Sequence, residues 1–142
     1  EGKWIRIYNT YGPLDNDSWL IPYIIKCLLK NKIPQLTNCE QFWDYLHVLD
    51  AVKAIIKLKN SSGKGIFNLG SSKPRKLKEY ILIICNEINK NIKPNFGKIP
   101  YRKDQVMTLY PDITKIKKVA NWSPEIEFRY GIKNLLDYYH EN

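Results

Sequence analysis

Long apolar runs are missing from this sequence. None approaches the roughly 20 residues a membrane span needs, so no membrane partner is expected. Glu1-Gly2-Lys3 leads straight into a strand-like stretch, so no signal peptide is expected. Cysteine is scarce and odd in number. Cys27, Cys39 and Cys85 are widely separated, form no C-x-x-C pair and match no metal-ligand spacing, which argues against a disulfide framework. Cys27 and Cys85 fall on apolar faces of predicted helices and read as buried free thiols, which fits a reducing, cytoplasmic compartment. The two histidines, His47 and His140, are far apart with no Cys/His/Asp cluster near them, so no metal centre is expected. The seven glycines fall at 2, 12, 63, 65, 70, 97 and 131, without a Gly-x-x-Gly-x-x-Gly run. Of the ten tyrosines, none is followed four places on by a lysine.

What is present suits one globular domain. The chain has 142 residues, 44% of them hydrophobic, enough to build a core. The net charge of +9 is localised. Residues 1–50 carry five basic and six acidic side chains, residues 101–142 seven and six, and residues 51–100 eleven and two. Lys53, Lys57, Lys59, Lys64, Lys73, Arg75, Lys76 and Lys78 account for most of the surplus. An alternative function follows from it: a non-catalytic basic module contacting nucleic acid. Against that, lysines far outnumber arginines, whereas base readout favours arginine. The middle third reads as a solvated lysine-rich face, and a nucleic-acid partner is not expected.

The most informative stretch is Arg6-Ile7-Tyr8-Asn9-Thr10-Tyr11-Gly12-Pro13. Trp4, Ile5, Ile7 and Tyr8 predict a strand over 4–8, and so short an apolar run suits coverage on both faces, as in a parallel sheet. Gly12-Pro13 is a turn. Asn9 therefore stands at the strand's carboxyl end, where open α/β sheets bind ligands, and offers two donors and an acceptor. Ser18 or Asp17 is expected to cap a helix with Pro22 in its first turn. That helix carries Leu20, Ile24, Cys27 and Leu28 on one face. Residues 33–37 read as a short edge strand containing Pro34, and 42–48 as an aromatic-rich strand. The following helix presents Ala51, Ala54, Ile55 and Leu58, with Asp50 near its positive end. Residues 66–70 are a strand. Leu77, Tyr80, Ile81, Ile84 and Ile88 mark a clear helix. Asp112 reads as a cap before Ile113, Ile116 and Ala120. Ile132, Leu135, Leu136 and Tyr139 form a last amphipathic helix. Within 42–48, His47 reads as a packed histidine, and Phe42, Trp43 and Tyr45 as core and sheet face.

Arg6-x-x-Asn9-x-x-Gly12-Pro13 resembles a signature of the second half of extended short-chain dehydrogenase/reductases, the NAD-dependent nucleotide-sugar epimerase/dehydratase family. Further marks follow in order: Leu20-Ile21-Pro22, Asp44-Tyr45-x-x-Val48-x-Asp50, Phe67-Asn68-Leu69-Gly70, Arg102-x-x-Gln105, Asp112-x-x-Lys115 and Asn121-Trp122-x-Pro124. The resemblance runs from Arg6 to Tyr139 but covers only the family's C-terminal half. It implies an α/β fold: the late part of a Rossmann-like parallel sheet with a small, helix-rich, mixed substrate-binding lobe. The family's glycine-rich loop and Tyr-x-x-x-Lys pair are absent, so residues 1–142 are expected to be the C-terminal substrate-binding portion, inactive alone, whose partner is a missing N-terminal half.

The resemblance also implies the ligands. In the full-length enzyme NAD or NADP would transfer hydride at a sugar carbon; this chain alone is expected to hold no cofactor, although Ile7 would border it. A nucleotide-diphosphate sugar would be held by Asn9, Leu20, Ile21, Gln35, Leu36, Trp43 and Arg102, with no catalytic residue supplied here. A guanidinium at Arg102 can grip phosphate oxygens bidentately. One departure stands out: the family's phosphate-binding Arg is replaced by Trp43, whose ring and N–H would pack against the base or sugar. The unpaired edge of strand 4–8 invites association, so a homodimer is among the expected states.

Overall fold

A computed structural model describes residues 2–89 and 91–141, an α/β chain with five helices and three small sheets among them. Strand β1 (Lys3–Ile7) pairs in parallel with β5 (Gly65–Leu69), placing Trp4 beside Ile66 and Ile7 beside Leu69. Parallel neighbours require a long crossover, and residues 8–64 supply it. The expectation that β1 is covered on both faces is not met. Ile5 packs inward, but Trp4 is 74% and Ile7 51% exposed. Among the described residues β1 also has no second strand partner. Its apolar pattern encodes more cover than these residues provide.

β2 (Thr10–Tyr11) pairs in parallel with β4 (Leu46–His47), and β3 (Phe42–Trp43) lies between β6 (Arg75–Lys76) and β7 (Thr108–Leu109). The single strand expected over 42–48 is thus two short ones. Asp44 and Tyr45 carry the chain from one sheet to another. The edge strand expected over 33–37 is also absent; a lone bridge joins Gln35 to Asn95. Pro34 removes a backbone donor. The Leu36 carbonyl instead accepts the amides of Lys98 and Ile99 at 2.9 and 3.1 Å.

Helix α1 (Leu20–Leu29) buries Ile21, Pro22, Ile24, Ile25 and Leu28. The buried face is rotated from the one expected, leaving Leu20 and Cys27 only half-buried. Neither Ser18 nor Asp17 caps it. Ser18 donates to the Asn16 side chain at 2.7 Å, and Asp17 pairs with Lys26. A local side-chain bond has outcompeted the cap. Helix α2 (Val48–Lys59) buries Asp50, Ala51, Ala54 and Leu58, while Ile55 stays 40% exposed. His47 caps it, Nδ1 accepting the Leu49 N–H at 3.3 Å. Helix α3 (Leu77–Ile88) buries Leu77, Tyr80, Ile81 and Ile84 as the spacing predicts. The cap position of α4 (Thr114–Ala120) is Ile113, one residue later than expected; Asp112 sits just before it and accepts the Thr114 N–H at 2.8 Å. In α5 (Phe128–Glu141), Ile132, Leu135 and Leu136 are buried and Tyr139 half-buried.

Two cores result. One gathers α1, α3 and α5 around Tyr11, Ile24, Ile81 and Ile132. The other packs α2 and α4 on β5 around Ala54, Phe67, Leu69 and Ile116. Each fully buried aliphatic side chain contributes about 1.5–3 kcal/mol. Asp50 ties the segment before α5 to the start of α2: Oδ2 accepts the amides of Glu125 and Ile126 at 3.0 and 2.8 Å. Part of the lysine surplus is spent inside the chain, through Lys53–Glu125 and Lys73–Glu127 pairs and a bond from Lys57 to the Asn121 carbonyl.

Candidate functional site

Beyond the carboxyl end of β1 the chain forms an open cavity of about 850 Å³. Its walls come from residues 7–10, the loop and first turn leading into α1, the 35–45 segment and the 99–105 loop. Ile7, Asn9, Leu20, Ile21, Gln35, Leu36, Trp43 and Arg102, the residues singled out from the sequence, all stand in these walls. They come from four separate stretches, so folding is what brings them together.

Asn9 spends one amide hydrogen on the Asp44 carbonyl, at 3.1 Å. That bond fixes the carboxamide and leaves its remaining donor and its acceptor for a ligand. Gln35 is held from behind, its N–H donating to the Tyr23 hydroxyl at 3.0 Å. Trp43 is half-buried, packed against the helical core on one side and lining the cavity on the other. Its indole N–H is committed: Nε1 donates to the Val106 carbonyl at 2.9 Å. The N–H expected to face a base or sugar is therefore used within the protein, where it fastens β3 to the loop carrying Arg102. The Gln105 amide donates to the Arg102 carbonyl at 3.1 Å, closing a turn that leaves the Arg102 side chain exposed.

Sequence reasoning missed several wall residues. Cys39, Gln41 and Tyr45 are among them; with Trp43, which the sequence did single out, they alternate along the chain and all reach the cavity. The two-residue period of an extended segment was the available signal. Gln41 is 4% exposed, and its side-chain oxygen has no hydrogen-bond partner among the described residues. Asp15, in the loop between β2 and α1, carries no motif that marks it. Arg102 is the one cation and Asp15 the one anion in the wall, among the described residues. Burial raises the Asp15 carboxyl above its ordinary range, partly offset by the Asn16 N–H. Burial likewise raises the Cys39 thiol and the Tyr45 phenol, so both are neutral near pH 7. His47 lies outside the wall. It packs edge-on to Tyr11 at 5.2 Å, and burial lowers its pKa, in keeping with a packed histidine. No cluster of metal-ligating side chains occurs among the described residues, and no helix there is long and apolar enough to cross a membrane.

Residues 4–135 match the family model described as GDP-mannose 4,6 dehydratase. The chain belongs to this family of NAD-dependent nucleotide-sugar epimerases and dehydratases. Among curated relatives of the family, CDP-abequose synthase of Salmonella muenchen is 30% identical over 135 residues, covering 93% of this chain and 46% of that protein. Two solved structures share the epimerase/dehydratase fold. UDP-glucose 4-epimerase of Thermotoga maritima, with UDP-glucose, superposes with a TM-score of 0.87 at 21% identity, covering 98% of this chain and 46% of the other. UDP-glucuronic acid 4-epimerase of Bacillus cereus, in complex with NAD, gives 0.84 at 17% identity, covering 98% and 44%. The chain thus spans a little under half of these relatives.

Proposed function

We propose that these 142 residues are the C-terminal, substrate-holding portion of an NAD(P)-dependent nucleotide-sugar epimerase, dehydratase or reductase. The carrying observation is that all eight residues singled out in the sequence line one cavity at the carboxyl end of a parallel strand. On this reading the apolar patch of Leu36 and Ile99 receives the base. Arg102 grips the diphosphate, Asn9 hydrogen-bonds the phosphate or sugar, and Leu20, Ile21 and Gln35 close the side. Trp43 forms an aromatic wall.

The remaining half of the protein would add the catalytic Tyr-x-x-x-Lys and the glycine-rich cradle for the dinucleotide. Within this chain the cofactor fit is partial. Ile7, 51% exposed at the cavity rim, offers a nicotinamide one apolar surface, and no glycine run is present for its diphosphate. NAD(P), when bound, supplies hydride transfer at a sugar carbon; these residues bind and orient the sugar nucleotide. The free edge of β1 and its exposed Trp4 and Ile7 suit the missing portion of the sheet.

The test is Arg102→Ala in the full-length protein. Losing a charge-assisted hydrogen bond to phosphate costs about 1.5–3 kcal/mol, so nucleotide-sugar affinity should fall roughly 10- to 150-fold with NAD(P) affinity unchanged. Arg102→Lys should recover part of it. Unaltered nucleotide-sugar binding in Arg102→Ala would remove Arg102 from the site.

A further inference from the structure

Residues 99–105 bring Ile99, Pro100, Arg102 and Gln105 to the cavity wall. The stretch is mostly exposed and belongs to no helix or strand. Segments with so little buried surface open at low cost. A cation carried on one has to be ordered by its ligand, and that ordering subtracts from affinity. Hydrogen bonds to the 36–43 segment oppose the opening. At the near end the Leu36 carbonyl accepts the amides of Lys98 and Ile99. In the middle the Tyr101 hydroxyl accepts the Glu40 N–H at 3.0 Å. At the far end the Val106 carbonyl accepts Trp43 Nε1 at 2.9 Å and Gln105 Nε2 at 3.3 Å. Residues 102–105 span the gap between the last two fastenings, and the Gln105 amide closes them into a turn on the Arg102 carbonyl.

We infer that Tyr101 is a positioning residue for Arg102: its bond to the Glu40 amide, together with the Trp43 bond to Val106, holds the Arg102 turn at the cavity wall before any ligand arrives. Tyr101 differs from both of its neighbours. Pro100 and Arg102 line the cavity and Tyr101 does not, so it acts on a ligand only through the loop. Its half-buried side chain is spent on the tether instead. The role rests on the function proposed above, in which Arg102 grips the diphosphate. With the main chain of the turn already fixed, only the guanidinium is left to be ordered by the phosphates, and less of the interaction is lost to entropy. Tyr101→Phe keeps the ring and removes the acceptor. One hydrogen bond between uncharged groups corresponds to about 2- to 12-fold in an equilibrium constant, which sets the size of the effect.

The experiment uses full-length protein and calorimetric titration with UDP, CDP, GDP and dTDP. For the nucleotide that binds tightest, Tyr101→Phe should lose about 2- to 12-fold in affinity. In the Arg102→Ala background the same change should leave affinity unaltered, because the turn then has no cation to place; residues that act through one another are not additive. A general loosening of the fold would weaken both backgrounds alike. Hydrogen exchange on the ligand-free protein reads the tether itself: the Glu40 amide should be protected in the wild type and lose that protection in Tyr101→Phe. Binding of none of the four nucleotides, or binding indifferent to Arg102→Ala, would overturn the role of Arg102 and this inference with it. Binding that Arg102→Ala weakens and Tyr101→Phe does not would overturn the inference alone, as would an equal cost in both backgrounds. A freely exchanging Glu40 amide would do the same, and it is read on the wild type, so it stands whether or not the variant folds.

Discussion

Removing the side chain of Asp44, buried between the wall residues Trp43 and Tyr45, should be among the most costly single polar changes near the site. Asp44 is fully buried, and its carboxylate accepts the amides of Ser71 and Ser72 at 2.6 and 3.0 Å as well as the Ser71 hydroxyl. These bonds hold the turn after β5 against the strand that carries Trp43. The packing there is close: a Cβ added at Gly70 would lie 2.5 Å from Asp44 Oδ2. In Asp44→Ala the partly exposed Ser71 and Ser72 amides and the Ser71 hydroxyl lose their bonds to a buried carboxylate, at about 1 kcal/mol each, for a total of roughly 2–4 kcal/mol. That is a large share of the roughly 5–15 kcal/mol that holds a typical domain together. Asp44→Asn keeps one oxygen for the amides and turns its NH2 to the Ser71 hydroxyl. It loses only the difference between charged and neutral hydrogen bonds, roughly 2 kcal/mol. Equilibrium urea unfolding gives both values, and amide exchange at Ser71 and Ser72 localises the effect. The Asn9 bond goes to the Asp44 main-chain carbonyl, so Asp44→Asn should keep its nucleotide affinity. A loss below about 1 kcal/mol in Asp44→Ala would refute the reasoning, because three hydrogen bonds to a fully buried carboxylate would then contribute almost nothing.

Three further outcomes are expected. Trp43→Phe keeps the aromatic wall but frees the Val106 carbonyl, at about 0.5–1.5 kcal/mol of stability; Trp43→Arg puts a second cation in the cavity and should tighten UDP binding, whereas a large fall in melting temperature at constant affinity would assign Trp43 to packing alone. Burial lowers the His47 pKa, so the folded state resists a proton that the unfolded chain accepts near pH 6.5; this stability is present above that pH and lost as pH falls toward the folded value, and urea unfolding at pH 7.5 and 5.5 should show a slope that His47→Asn flattens. Gly131→Ala would ordinarily favour a helix, but the new Cβ would meet the Tyr11 hydroxyl at 2.1 Å and His47 Cδ2 at 2.8 Å; a melting temperature equal to or above that of the wild type would show that Tyr11 can move aside.

Legibility in the sequence followed the kind of force involved. α3 could be read from Leu77, Tyr80, Ile81 and Ile84 because one periodic apolar face decides it. The ligand end of β1 was readable because the apolar run of residues 4–8 gives way to Asn9, although the strand running into Gly12-Pro13 proved to be the separate β2. The 33–37 and 42–48 segments were misread because tertiary partners decide them. Asp44 turns the chain toward Ser71, 27 positions away, and no local pattern reports that. The α1 cap failed for a reason that is local but competitive: Asn16 took Ser18 first. Among wall residues, those named by motif were found. Asp15 and Gln41 went unnoticed because their significance lies in what they face across the cavity.

The fastening of Trp43 to the 106 carbonyl has a consequence for how such a site diversifies. Both charged wall residues lie on loops, Asp15 between β2 and α1 and Arg102 ahead of β7, while the anchors beneath them are strand and helix residues in the two cores. A mutation in either loop can change which molecule is admitted without reopening the folding problem. Trp43 combines two roles, lining the cavity with its ring and bracing the 106 loop with its N–H. Descendants of this chain would then explore new ligands through residues 14–18 and 99–105, with the brace at Trp43 keeping the second loop in place while they do.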